Sequence, residues 1–197
     1  VTNFDIIKGA DVIIWTTTPW TIPANKALAY NAGLKYVLLE INDNKNFIDR
    51  KIVIAKDLLE PFKKDTSIEN IKVLNEFLGK DLKGTICSHP FSKMGYDYDI
   101  PMLEANFVTT EQGTGIVHCA PSHGPDDFNL CLNNNIKAIE TVDGDGKYTN
   151  EIKHFEGLHI FKANNLIIEK LDEQKNLLSN GKLTHSYPHS WRSKAPL

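Results

Sequence analysis

Short apolar runs of strand length, each closed by polar turn residues, constrain the fold of this chain more than any other feature. Four of them are rich in β-branched residues: ADVIIW (10–15), KYVLLEI (35–41), KIVIA (51–55) and TGIVHCA (114–120). A fifth, KLTHSY (182–187), is a weaker alternating candidate. Because runs of this length between turns favour strands over helices, the sequence predicts a sheet of several short strands.

A hairpin and two helices complete the predicted elements. VDGDGKYT (142–149) has Asp-Gly twice at a turn, which is typical of a hairpin. A helix is predicted over 125–134, where proline and two acids open the first turn and one face carries Phe128, Cys131 and Leu132. A second is predicted over 162–178 and should end where Gly181 takes the left-handed conformation. Its apolar residues at helical spacing are Ala163, Ile167, Leu171 and Leu178.

These elements predict one α+β domain over residues 1–197, mainly β, with a barrel-like sheet core and a few peripheral helices. At 197 residues and 41% hydrophobic content the chain is long and apolar enough to form a core. It shows no apolar run of the roughly 20 residues that span a membrane, and no signal peptide. Since it starts without Met and stops at RSKAPL, we expect a piece cut from a longer protein.

Charge and cysteine content restrict the partners and the compartment. The chain has 22 basic and 25 acidic residues, a formal charge of −3. Because nucleic-acid affinity comes largely from basic residues at phosphates, we expect this domain to handle at most one end of an RNA. Three cysteines at spacings unlike a disulfide framework indicate a reduced, cytoplasmic setting.

The segment GTGIVHCAPSHGPDDF (113–128) carries the densest set of polar candidates. A buried strand should end near His118, and a Pro/Gly-rich loop should lead into a helix whose first turn holds Asp126 and Asp127. A strand end and a helix start that converge in this way commonly form a pocket. The alternative is that both acids cap the helix and His118 is a core histidine; this segment alone leaves both open.

Four better-defined motifs resemble parts of this chain, but each lacks a residue or a geometry that the motif requires. Gly113-x-Gly115 lacks the third glycine of a dinucleotide fingerprint, and Ser122 lacks the first glycine of a nucleophile elbow. His118, Cys119 and His123 are weak metal ligands, since neighbours on a strand point to opposite faces. The run from Asp143 resembles a calcium loop but has lysine at a ligand position and no closing glutamate. We therefore expect no metal.

A second unusual segment, WTTTPWTIPAN (15–25), concentrates hydroxyls and indoles after a predicted strand. Thr16, Thr17 and Thr18 offer hydroxyls for a polar ligand, and Trp15 and Trp20 offer flat walls or a surface for base stacking. A threonine-rich edge strand is the alternative, since threonine favours strands. The segment by itself does not decide between them.

Together with HSYPHSWRSKAPL (185–197), the two segments closely resemble the editing domain, connective peptide 1, of isoleucyl-tRNA synthetase. Related domains of the valyl and leucyl enzymes share the Thr-rich and Gly-Thr-Gly features; His118 favours the isoleucyl member. The resemblance implies hydrolysis of valine misattached to tRNA(Ile). It also implies a larger synthetase chain that ligates isoleucine with ATP and Mg²⁺ in a separate synthetic domain, whose two signature motifs do not occur here.

The resemblance also implies roles for individual residues. Asp127 would bind the substrate ammonium, and His118 would exclude isoleucine and orient the ester. Thr16, Thr17 and Thr18 would contact the ester and position the attacking water. The substrate-binding positions implied around them are Trp20 and Asn25 and, near the terminal adenosine, Trp15, Thr21 and Tyr187.

The resemblance implies no cofactor and no metal for the domain itself. Its expected partners are the 3′-terminal aminoacyl-adenosine of tRNA(Ile) and the rest of the synthetase chain, with no membrane. Four alternatives stay open: a non-catalytic module that binds the tRNA 3′ end, a free-standing trans-editing hydrolase, the editing domain of a valyl enzyme, and a metal-dependent hydrolase.

Overall fold

Eight strands form two four-stranded sheets in the computed structural model, which describes residues 1–181 and Arg192. The candidate strand KLTHSY and Tyr187 lie outside these residues. The strands are β1 (Asp11–Val12), β2 (Ala27–Tyr30), β3 (Lys35–Ile41), β4 (Arg50–Ala55), β5 (Ile71–Leu78), β6 (Ile86–Ser88), β7 (Asp99–Glu104) and β8 (Ile116–Cys119).

Both sheets are mixed. The first has the order β1-β4-β3-β5, in which β1 and β4 are parallel and the other pairs antiparallel. The second has the order β6-β7-β2-β8, in which β2 and β7 are parallel and the other pairs antiparallel. The strands predicted at KYVLLEI, KIVIA and TGIVHCA are confirmed. In ADVIIW, only Asp11 and Val12 form a regular strand.

The main core lies between the two sheets. It takes Tyr36, Leu38 and Val53 from the first sheet and Leu28 and Met102 from the second. Each sheet buries its other face as well: the first under the helix that holds Phe62, the second under the helix that holds Cys131. The α+β class is confirmed, and the barrel-like core that we expected takes the form of two facing sheets, which the described strands do not close into a barrel.

Three α-helices lie around the sheets: α1 (Leu59–Thr66), α2 (Pro125–Asn133) and α3 (Ile160–Glu173). The existence of α2 is confirmed, but its predicted apolar face is wrong. Cys131 is buried, whereas Phe128 and Leu132 are 43% and 57% exposed, because only one edge of this short helix meets the second sheet. None of the described helices is long and apolar enough to cross a membrane.

The predicted end of α3 is also wrong. The helix stops at Glu173, and Lys175, not Gly181, takes the left-handed conformation with φ 57°. The reason lies at the start of β4 and in the loop before it: Arg50 donates to the Lys175 carbonyl, and Asn46 donates to the Leu177 carbonyl. These bonds pull the chain away from the helix axis. Ala163, Ile167 and Leu171 are buried as predicted, while Leu178 packs beyond the helix against the first sheet.

A glycine joins the two sheets where β8 begins. Gly115 has φ +71°, and a Cβ there would lie 2.3 Å from the Cβ of Ala55 in β4. The Ala55 amide donates to the Thr114 carbonyl at 2.8 Å, and the Tyr36 hydroxyl donates to the Gly115 carbonyl at 2.8 Å. Only glycine permits this backbone conformation at so close an approach. The junction fixes where β8, and with it His118, lies.

The predicted hairpin is present in a minimal form. Val142 and Tyr148 form one antiparallel bridge across the turn, and Gly146 has φ +74°. The carboxylate of Asp143 accepts from the amides of Asp145 and Lys147, both at 2.9 Å. Asp143 therefore shapes a turn, as the sequence favoured.

Candidate functional site

The Thr-rich segment leaves the first sheet and folds into a 3-10 helix, Pro19–Ala24. Proline at its first position suits a helix start, and short-range bonds close the turns: Thr21 N–H to the Thr18 carbonyl at 2.9 Å and Asn25 N–H to the Ile22 carbonyl at 3.0 Å. The edge-strand alternative for this segment is therefore wrong. We call residues 15–25 the wall segment.

Hydroxyl groups of the wall segment bond to one another. The Thr16 hydroxyl accepts from the Thr18 amide at 3.0 Å and lies 3.3 Å from the Thr18 hydroxyl. The Thr18 hydroxyl in turn lies 3.4 Å from that of Thr21. Thr17 is the exposed member of the run. The chain of contacts fixes three hydroxyls and leaves the fourth directed outward.

His118 on β8 meets this chain at Thr21. Its Nε2 lies 3.1 Å from the Thr21 hydroxyl, whose own proton goes to the Thr18 carbonyl at 2.9 Å. With that proton on the Thr18 carbonyl, Nε2 of His118 carries the hydrogen and Nδ1 is the bare acceptor. That Nδ1 atom is buried and has no hydrogen-bond partner in the described structure.

Burial keeps His118 neutral. Loss of solvent and, to a smaller extent, the neighbouring His123 lower the pKa of His118 to about 4. The ring is therefore uncharged at neutral pH, and its Nδ1 is a hydrogen-bond acceptor of low basicity.

Asp127, in the first turn of α2, turns back toward the strand end. Its Oδ2 accepts from the Ala120 amide at 2.9 Å, two residues after His118. The alternative that Asp127 only caps its own helix is wrong, since Gly124 is the N-cap and the Asp127 carboxylate bonds to the preceding loop. Burial raises the pKa of Asp127; the Ala120 bond opposes the shift and Asp126 adds to it.

The two tryptophans of the wall segment have different environments. Trp15 is 41% exposed and lies over Gly113, where an added Cβ would come within 3.5 Å of its side chain. Trp20 is half-buried and meets the His123 ring edge-on, with centroids 4.8 Å apart. His123 is held by the Thr141 hydroxyl, 2.7 Å from its Nε2. Trp15 thus offers an accessible ring, whereas Trp20 is part of the packing.

A cleft of about 1880 Å³ joins several predicted site residues. Its lining includes Trp15, Thr16, Thr17, Asn25 and His118. Asn25 is 4% exposed, and its Oδ1, like Nδ1 of His118, is buried without a partner in the described structure. Two unpaired acceptors on one cleft are unusual in a folded protein and suit a ligand that donates hydrogen bonds.

Thr18 and Thr21 are not among the residues that line this cleft, but they bond to Thr16 and His118, which are. Asp127 and its partner Ala120 do not line it; Asp127 lies beside the end of β8. Tyr187 lies outside the described residues. Within those residues there is no group of three or more histidine, cysteine, aspartate or glutamate side chains that could hold a metal ion.

Several residues that hold the wall segment were not predicted from the sequence. His89 is 1% exposed; its Nδ1 accepts from the Phe91 amide at 3.0 Å, so its Nε2 donates to the Ile22 carbonyl at 3.1 Å. Tyr148 donates to the Trp20 carbonyl. Burial lowers the pKa of His89 to about 3 and so keeps it in this neutral form. The only sequence signal was a histidine directly before proline, His89-Pro90.

Comparison with known proteins agrees with the fold. The family model described as leucyl-tRNA synthetase, editing domain, matches residues 9–176. Among solved structures, the editing domain of P. knowlesi cytosolic leucyl-tRNA synthetase has a TM-score of 0.64 at 13% identity, over 87% of this chain and 84% of that one. The corresponding P. falciparum domain has a TM-score of 0.61 at 13% identity, over 86% and 80%. At such identities these structures show a shared fold.

Curated relatives carry a different name. Isoleucine–tRNA ligase of Pelagibacter ubique is 70% identical over 196 residues, which is 100% of this chain and 22% of that protein. The Gluconobacter oxydans ligase is 43% identical over 206 residues, 97% of this chain and 22% of that protein. The chain thus spans about a fifth of the relatives it matches. It belongs to the family of aminoacyl-tRNA synthetase editing domains, and its resemblance to the isoleucyl member is confirmed.

Proposed function

We propose that this chain hydrolyses the ester that links a misattached valine to the 3′-terminal adenosine of tRNA(Ile). The observation that carries the proposal is the pair of unpaired acceptors, His118 Nδ1 and Asn25 Oδ1, on one cleft of an editing-domain fold. The relatives that match the whole chain are named isoleucine–tRNA ligases, so the relevant tRNA is the isoleucine acceptor.

The need for such a second site follows from the energetics of a synthetic site. One methylene changes binding by only about 1–3 kcal/mol, and isoleucyl-tRNA synthetase is the standard example of this limit. A hydrolytic site that admits valyl and rejects isoleucyl esters removes the error. Its substrate presents an α-ammonium, a small branched side chain, an ester carbonyl and an adenosine, so it supplies hydrogen-bond donors at one end and an aromatic base at the other.

Asp127 is the residue that we assign to the ammonium. Its carboxylate is half-buried near the end of β8, and burial already raises its pKa, so a cationic partner would relieve an unfavourable charge. His118 is assigned to exclusion of the longer side chain. Thr21 fixes its ring through the 3.1 Å contact, and a group with a pKa of about 4 is a weak general base at neutral pH.

Hydrolysis then depends on the position of the ester and a water molecule. The hydroxyls of Thr16, Thr17 and Thr18 supply the polar contacts for both, and we propose no covalent intermediate and no metal. Trp15, accessible at the cleft, supplies a ring that can stack on adenine. Asn25 and Trp20 complete the pocket, and Tyr187 stays a predicted neighbour of the adenosine.

The wider setting is part of the proposal. With a formal charge of −3, this domain lacks the basic surplus that holds a whole tRNA, so the rest of a synthetase chain would grip the body of the molecule. ATP and Mg²⁺ would serve the synthetic reaction elsewhere in that chain, and we place the protein in the cytoplasm, where tRNA is charged.

The test is deacylation of valyl-tRNA(Ile) and isoleucyl-tRNA(Ile) by the chain, with Asp127→Asn and Asp126→Asn as a matched pair. Asp127→Asn keeps an oxygen that can accept from the Ala120 amide while it removes the charge, so the loop should stay in place. We expect valyl hydrolysis to fall about 100-fold for Asp127→Asn, the scale of a lost charge-assisted contact. Exposed Asp126 should change the rate less than twofold or so.

Equal rates for Asp127→Asn and the unaltered chain would remove the ammonium role from Asp127. Hydrolysis of isoleucyl-tRNA(Ile) as fast as the valyl ester would contradict the proposed function itself.

A further inference from the structure

The backbone at the start of the 3-10 helix leaves one donor without a local partner. Thr18 is the N-cap, but its side chain makes no capping bond, and Pro19 has no N–H. The Thr21 amide bonds to the Thr18 carbonyl. The Trp20 N–H is therefore the group that an ordinary capping residue would satisfy, and within the described chain its partner is not a residue of the wall segment.

A side chain far along the sequence fills this place. Oδ1 of Asn164, in α3, accepts from the Trp20 N–H at 3.0 Å across 144 residues. Asn164 is half-buried and lies on the same cleft as Trp15 and His118. It performs the task of an N-cap from a different element.

The helix that carries Asn164 is held independently of this bond. Its apolar residues Ala163 and Ile167 are fully buried and share a core cluster with Ile22 and Ala24 of the wall segment. Asn164 is thus presented by a packed surface, and loss of its amide leaves that packing in place. Its neighbour Asn165 is exposed and offers the same residue type without the contact.

We propose that Asn164 is a positioning residue of the hydrolytic site. Trp20 is held at its N–H by Asn164 and at its carbonyl by Tyr148, and the next residue, Thr21, orients the His118 ring. Asn164 therefore acts on the reaction through the backbone of Trp20 and Thr21. The inference rests on the proposed function for its consequence in hydrolysis, and on geometry alone for its contact with Trp20.

Three variants distinguish an effect on the position of Trp20 from an effect on the stability of the chain. Asn164→Leu removes the acceptor at similar volume, Asn164→Asp restores an oxygen at the same place, and Asn165→Leu is the matched control. The readouts are the Trp20 backbone amide resonance in a ¹⁵N-labelled chain, the kcat and KM for valyl-tRNA(Ile), and the melting temperature.

We expect Asn164→Leu to move the Trp20 amide resonance upfield and to lower kcat about tenfold, the scale of one lost hydrogen bond, with KM unchanged. Asn164→Asp should recover both readouts, and Asn165→Leu should alter neither. A Trp20 resonance that stays in place in Asn164→Leu would overturn the contact. A displaced resonance with unchanged kcat would overturn the positioning role.

The experiment distinguishes a failure of the proposed function from a failure of the role assigned to Asn164. If the unaltered chain hydrolyses neither ester, that function is contradicted, whereas the Trp20 resonance still decides whether Asn164 holds the wall segment. A fall in kcat that follows the melting temperature equally in Asn164→Leu and Asn165→Leu would show a merely structural effect and would also count against the inference.

Discussion

The first sheet and the wall segment are held in place by different kinds of interaction. In the sheet, β3 pairs along its whole length with β4 and β5, and both of its faces are buried. The wall segment has almost no such ladder. Its backbone is fixed at Trp20, Ile22 and Asn25 by side chains from three later regions of the chain; these side chains are Asn164, Tyr148, His89 and Tyr98.

The two kinds of interaction have different consequences: those in the sheets stabilise the fold, and those around the wall segment place groups at the cleft. A ladder with two buried faces spreads its free energy over many contacts, so single losses there reduce the free energy of unfolding. Side-chain bonds to a loop backbone are few and individually modest, but each one sets the place of a group at the cleft. We therefore expect changes in the sheets to act on stability and changes around the wall segment to act on hydrolysis and its selectivity.

The largest loss of stability should come from Gly115→Ala, at the junction of the two sheets. The new Cβ would meet Ala55 at 2.3 Å in a left-handed backbone conformation. Strain and overpacking together should lower the free energy of unfolding by about 4 kcal/mol. Urea unfolding measures this.

The control for that substitution is Gly144→Ala, where nothing lies within 4 Å of the added Cβ and no left-handed conformation is required. It should leave the free energy of unfolding within about 0.5 kcal/mol of the original value. A similar loss for the two variants would show that the junction is not the close contact described.

A smaller effect should appear in the pH dependence of stability. His118 and His89 have folded-state pKa values lowered to about 4 and about 3, so both stay neutral in the folded chain while the unfolded chain takes up protons near pH 6.5. Their contribution is complete above pH 6.5 and is lost as the pH falls from there toward 4 for His118 and toward 3 for His89. His118 alone should account for about 1–2 kcal/mol between pH 7 and 5.

Urea unfolding of the original chain and His118→Gln at both pH values checks this sign and its source. The variant should lose less stability on acidification than the original chain. An identical pH dependence would mean that His118 is protonated as readily in the folded chain as in the unfolded one.

The sequence predicted the first sheet better than the wall segment, for a physical reason. KYVLLEI and KIVIA fold as β3 and β4 because buried β-branched runs have few alternatives. The strand Ala27–Tyr30 was missed, since two of its four residues are alanine and it directly follows the wall segment. The strand Ile71–Leu78 was missed because it is mostly exposed and interspersed with polar residues.

At the site, the structure brings some of the residues implied by motif resemblance to one cleft, whereas the residues that support them were not predicted. Thr16, Thr17, Asn25 and His118 share a cleft, as their motifs implied. Asn164 could not be predicted, because a side chain that bonds to a backbone 144 residues away leaves no local pattern. The same holds for the side chains that reach Trp20 and Ile22 from later parts of the chain.

The most direct test of the account is the ratio of valyl- to isoleucyl-tRNA(Ile) hydrolysis by the chain and by His118→Ala. The original chain should cleave the valyl ester and spare the isoleucyl ester, and His118→Ala should cleave both, since we assign the His118 ring to limiting the depth of the pocket. A variant that loses valyl hydrolysis without gaining isoleucyl hydrolysis would contradict it and would make His118 the base of the reaction.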